Sequence, residues 1–167
     1  FTLVLIILYI AFAFRKLPNK LNAWKFGICA IVALVHDVLI TLGVFILLGH
    51  FVGAELDSLF ITALLTIMGF SVHDTIVVFD RLRENSKNHG LGMNLRQLAN
   101  LSLTETFARS VNTSISTLFT IVALYIWGDS SIEHFVLALI IGTVIGTYSS
   151  LFTATPLLIS LEESKSK

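Results

Sequence analysis

Two histidine and aspartate pairs and one arginine stand inside stretches that are otherwise apolar. His73 and Asp74 interrupt GFSVHDTIVVFDRLREN, residues Gly69 to Asn85, and His36 and Asp37 interrupt ALVHDVLITLG. Arg109 falls in the entry turns of a later apolar run. The chemistry open to such groups is set by where they sit. If these runs cross a bilayer, a charged side chain at their centre costs about 2.5 to 3.5 kcal/mol on insertion scales, and intramembrane ionisable residues mark ion and proton pathways. Histidine and carboxylate also suit a metal ion. Adjacent residues on a helix point about 100° apart, however, and the HExxH spacing that puts ligands on one face is absent, so the pattern does not favour a metal. No GxSxG elbow of a serine hydrolase occurs.

The elements that must position these residues follow from composition. The chain has 167 residues, of which 55% are hydrophobic and 13% charged, against about 25% charged in a soluble domain. With a mean hydropathy of +0.86, an ordinary soluble fold is excluded and an all-α membrane protein is expected. The single cysteine, Cys29, allows no internal disulfide and matches no zinc or redox spacing. Five apolar segments can be drawn, near residues 1–14, 23–48, 59–79, 103–127 and 132–158. The first is too short to cross about 30 Å of hydrocarbon at 1.5 Å per residue, so the chain reads as one that begins part-way through a helix. The expectation is a five-helix transmembrane bundle forming one membrane domain over residues 1–167, truncated on its N-terminal side.

Lysine and arginine set the orientation. Arg15, Lys16, Lys20 and Lys25 surround the first connection, Arg81, Arg83, Lys87 and Arg96 the third, and Lys165 and Lys167 the tail. The second and fourth connections, HFVGAELDS and GDSSIEH, contain none. This asymmetry places connections one and three and the C-terminus in the cytoplasm. Asp74 lies seven residues before Arg81, about 10 Å deeper than the basic cluster. Arg109 lies seven residues after Ser102, taken as the cap of the next helix. Equal depth on antiparallel neighbours predicts that Asp74 and Arg109 face each other. Arg109, Asn112, Thr113, Ser116, Thr117 and Thr120 form one polar stripe at helical spacing, expected to face the bundle interior or a water-filled path. Gly142 and Gly146 form a GxxxG for close helix packing, Pro156 is placed to kink the last span, and LRQL in the third connection suggests a short interfacial helix.

The segments GFSVHDTIVVFDRLREN, LSLTETFARSVNTSISTLFTIVAL and FVLALIIGTVIGTYSSLFTATPLL, in this order and spacing, resemble the last three spans of the bacterial SecF family, and ALVHDVLITLGVF resembles the span before them. The resemblance covers essentially the whole chain and implies spans two to six of a SecF-like half of the RND superfamily, without the periplasmic domain and first span. It implies a multi-pass protein of the bacterial cytoplasmic membrane that uses the proton-motive force to assist preprotein movement through SecYEG, with SecD, SecYEG and YajC as partners alongside the exported preprotein and lipid. No enzyme chemistry, cofactor, metal or nucleic acid is implied. Asp74 matches the family's transmembrane aspartate, Arg109 the arginine that pairs with it or regulates it, and Thr113 and Thr117 the polar path. His73 is a departure, since many relatives are expected to have asparagine before the aspartate. His73, Asn112, Ser116, His36 and Asp37 are candidates for the supporting path. The competing readings are an RND-type proton-coupled exporter of lipids or drugs and a purely structural translocon subunit.

Overall fold

In water-free hydrocarbon every backbone amide must find its partner within the protein, and a helix satisfies that requirement locally. The computed structural model describes residues 2–13, 23–53, 56–89 and 92–163, and they are helical apart from short connections. Helix α1 spans Thr2–Ala13, α2 Ala23–Val52, α3 Ser58–His89, α4 Leu95–Trp127, α5 Glu133–Ser149 and α6 Thr155–Glu163. A 3-10 turn, Ser130–Ile132, precedes α5, and one π-helical turn, Ser150–Ala154, joins α5 to α6 in a continuous rod. Among the described residues, four rods are long and apolar enough to cross a membrane. Basic residues Arg15, Lys16, Lys20, Lys165 and Lys167, and the ends of the first apolar segment at Phe1 and Phe14, lie outside the described residues.

The ends of the rods are set by local chemistry. Gly53 closes α2 with φ +76°, a left-handed conformation that costs glycine little. The Asp57 carboxylate accepts from the Phe60 amide at 2.8 Å to open α3. Asn94 and Gln97 form a reciprocal capping box at the start of α4, which satisfies two orphan donors. This corrects two expectations. LRQL is the first turn of α4 rather than a separate interfacial helix, and Ser102 lies two turns inside α4 rather than at its cap. The capping box starts the helix early, and the polar residues from Leu95 to Asn100 extend it past the apolar stretch. At the other end of the chain, Pro156 cannot donate to the carbonyl of Phe152. The helix widens into the π turn over that interval, so the expected distortion takes the form of a bulge.

The rods pack with α3 and α5 as the most extensive pair, α2 and α4 flanking both, and α1 and α6 against α2. Gly142 makes the α3 and α5 contact possible, because a β-carbon there would overlap the Ile67 side chain. Two apolar clusters result. One joins Phe26, Leu34, Phe79, Leu82, Leu98 and Leu158; the other joins Phe45, Phe60, Ile67, Ile121, Val136 and Leu139. Near the middle of the long rods lie buried polar side chains: Asp37 and Thr41 on α2, Ser71 and Thr75 on α3, Ser110 and Ser114 on α4, Thr143 on α5. On α4 and α5 this polar layer separates the two clusters, and on α3 it runs alongside Met68, Val72 and Phe79 of the first.

Candidate functional site: a polar layer in the membrane

Asp74 is half-buried in this layer and lines a cavity of about 150 Å³. The same cavity is lined by His73 and Ser71 from α3, Ser114 and Thr117 from α4, and Thr143 and Thr147 from α5. A single water needs roughly 10 to 15 Å³ of such space and two to four polar partners, so the cavity accommodates several. Thr147 donates to the Thr143 carbonyl at 2.8 Å. Its one proton being committed, the 2.6 Å contact between Ser114 Oγ and Thr147 Oγ1 is donated by Ser114. The buried Thr143 hydroxyl has no hydrogen-bond partner, and it belongs to the cavity wall.

Arg109 does not meet Asp74 in this structure. Its side chain is exposed, and among the described residues no ion pair joins the two. The stripe behaves the same way: Asn112, Thr113, Ser116 and Thr120 are exposed and Thr117 is half-buried, with only Thr113 and Thr117 reaching the cavity. The inward face of α4 is instead Ser102, Thr106, Ser110 and Ser114. The reason is that the stripe needs no interior. Thr113 donates to the Arg109 carbonyl, Ser116 to that of Asn112, Thr117 to that of Thr113 and Thr120 to that of Ser116, each one turn back on its own helix. Small hydroxyl residues repeating every fourth position give the closer helix approach and win the inward face. That repeat was the available signal for Ser110 and Ser114, which the sequence reading passed over.

On α2, Asp37 is fully buried. Ser71 Oγ donates to its Oδ2 at 2.5 Å, and His36 Nδ1 lies 3.0 Å from its Oδ1. His36 is half-exposed and His73 exposed. Gly146 brings α5 close to the same place, since a β-carbon on it would contact Ser71 at 3.4 Å and Asp37 Oδ2 at 3.8 Å. Among the described residues no group of three or more His, Cys, Asp or Glu side chains is gathered as a metal set would require.

Outside the layer, a clamp that sequence reading did not identify ties α3 to α4. Glu105 Oε2 accepts from Arg81 Nε at 2.7 Å and from Asn85 Nδ2 at 2.7 Å. Asn85 also donates to Ser102 Oγ at 3.0 Å, and Arg81 to Glu84 at 2.6 Å. Lys25 binds both the Glu162 carboxylate and the Leu161 carbonyl, joining the start of α2 to the end of α6.

These features define a multi-pass, all-helical membrane protein with ionisable side chains inside its helix bundle. Residues 1–164 match the family model of the protein export membrane protein SecD/SecF, C-terminal, and the chain belongs to that family, on its SecF side. It is 56% identical over 154 residues to the protein translocase subunit SecF of Thermobaculum terrenum, covering 92% of this chain and 47% of that protein. It is 40% identical over 161 residues to the same subunit of Anaerolinea thermophila, covering 96% and 51%. The chain thus spans about half the length of the curated relatives it matches. Among solved structures, SecDF in its super-membrane-facing form aligns with a TM-score of 0.86 at 40% identity, over 98% of this chain and 21% of that one.

Proposed function

We propose that this chain is the membrane domain of a SecF-type subunit that works with SecD in the bacterial cytoplasmic membrane, its C-terminus in the cytoplasm, and uses the proton-motive force to assist preprotein movement through SecYEG. The observation that carries the reading is a half-buried Asp74 at the wall of a cavity that also has the hydroxyl residues Ser71, Ser114, Thr117, Thr143 and Thr147 in its lining. Such a carboxyl is partly withdrawn from solvent yet open to water through the cavity. A low dielectric opposes its charge, and a facing guanidinium favours it. The unpaired geometry of Asp74 and Arg109 is the arrangement this reading assigns to the protonated carboxyl. Loss of the proton then draws Arg109 across, and the helices repack between two states whose balance the proton gradient biases. One elementary charge crossing 100 mV supplies about 2.3 kcal/mol, so large movements need several protons.

The outward-facing stripe supports a protein neighbour on that side of α4. A guanidinium on a helix surface is costly against lipid but suits a polar face of SecD. Export itself requires the rest of the subunit and its partners.

The test is preprotein export by membranes carrying the full-length complex with Asp74→Asn, with complex assembly measured in the same membranes. Assembly retained with proton-driven export lost is the expected result. Unchanged export would assign Asp74 an architectural role and refute the coupling.

A further inference from the structure

Asp37 is the second carboxyl of the polar layer and the only fully buried carboxyl among the described residues. Among the described residues no lysine or arginine forms an ion pair with it. On its own helix the ionisable neighbour is His36. From α3 it meets Ser71, with Asp74 one turn further along and His73, exposed, in the lining of the same cavity. From α5 it meets Gly146, the ionisable groups of that helix being Glu133 and His134 at its far end and the exposed Tyr148. Tyr9 of α1 is exposed, and Lys25 with its α6 partner Glu162 lies twelve residues back along α2, about 18 Å away.

Two protonation states are compatible with this geometry. In one, His36 carries a proton on each nitrogen and donates to Oδ1, while Ser71 donates to Oδ2 of the carboxylate. In the other, the carboxyl holds its own proton. If that proton is on Oδ2 it is donated back to Ser71 Oγ, and the serine's own hydrogen is released to point elsewhere. Ser71 has one such hydrogen, and its residue lines the cavity that Asp74 also lines. The direction of the serine hydroxyl therefore differs between the two states, and the cavity senses the difference.

We propose that Asp37, with His36, is a second proton-binding site of this chain, connected to the Asp74 cavity through the Ser71 hydroxyl. Transfer proceeds by Ser71 giving its proton to Asp37 Oδ2 as it takes one from a hydrated proton in the cavity. One O–H bond breaks and one forms at the serine oxygen, one proton is gained by Asp37, and no electrons are exchanged. The site deepens the reading of the Asp74 cavity as a proton path and rests on it for its part in export, but whether Asp37 titrates is measurable by itself.

The experiment is pH-difference infrared spectroscopy of the full-length complex in lipid vesicles, following carboxyl C=O bands that appear on acidification. The wild type is expected to show separate bands from Asp74 and Asp37. Asp74→Asn removes one and leaves the other, Asp37→Asn does the reverse, and Ser71→Ala shifts the frequency of the Asp37 band. A wild-type spectrum unchanged by Asp37→Asn, or loss of every intramembrane band in Asp74→Asn, overturns the proposal. Should Asp37→Asn fail to assemble, Ser71→Ala decides: an unshifted spectrum in that variant overturns it too. Export by Asp74→Asn tests the earlier reading separately, since Asp37 can titrate whether or not Asp74 drives export.

Discussion

Asp74, Asp37 and Arg109 could be singled out from sequence because burying charge in hydrocarbon is expensive, so each stands out from its neighbours. What their partners would be was less legible. The stripe beginning at Arg109 and the row of Ser102, Thr106, Ser110 and Ser114 are both hydroxyl-rich, and they sit about one residue apart around the same helix. Periodicity alone cannot rank them, because a hydroxyl that bonds its own helix carries little penalty on either side. Ser71 was missed for a related reason: a lone serine in an apolar run has no marker until Asp37 is found beside it. One charged residue outside the spans gives a prediction with a definite sign. Hydrogen bonds from the Ser131 hydroxyl and amide hold the Asp129 carboxyl below the usual carboxylate range. A carboxyl depressed on folding contributes fully above its unfolded value and loses that contribution as pH falls through the folded one. Amide exchange at Ser131 should therefore keep its protection factor through mildly acidic pH and lose it only at lower pH. Asp129→Ala should lower the protection at neutral pH.

At the scale of elements, hydropathy located the spans well and their ends poorly. The described helices α3 and α4 run to His89 and from Leu95, beyond the apolar windows, because caps and helix-favouring polar residues continue a rod that hydropathy no longer marks. Asn94→Ala removes the capping box and should destabilise the start of α4 by about 1 kcal/mol, visible as faster amide exchange through Asn100 with the spans unaffected. The GxxxG reading at Gly142 and Gly146 corresponds to a real close approach, and only Gly142 is without room for a methyl group. Gly142→Ala should lower stability by about 1 to 3 kcal/mol through overpacking, measured as a lower melting temperature in detergent, whereas Gly146→Ala should cost less. The double variant Gly142→Ala with Ile67→Val should recover part of the loss, since residues in direct contact are non-additive. Equal melting temperatures for the two glycine variants would remove the packing account of this helix pair.

For the whole molecule, the proposed mechanism places its rearrangement in the polar layer beside the two apolar clusters. Apolar packing holds the two ends, and the middle contains hydroxyls, two carboxyls and a cavity. The Arg81, Asn85 and Glu105 clamp fixes the neighbouring ends of α3 and α4, so rearrangement of that pair must pivot about it. Glu105→Gln leaves the exposed ion pair unmade at little cost, because solvent screens it, and should leave assembly intact while widening the distribution of distances between those two helix ends. No sequence pattern announces this clamp, because it joins residues twenty and more positions apart on two elements. The central claim is that the protonation state of Asp74 moves α3 relative to α4. Spin labels on these two helices, flanking the cavity in the full-length complex in lipid, measure it most directly. The account predicts a distance distribution that shifts with pH in the wild type and is fixed at its low-pH form in Asp74→Asn. A distribution that shifts with pH equally in both proteins would contradict it.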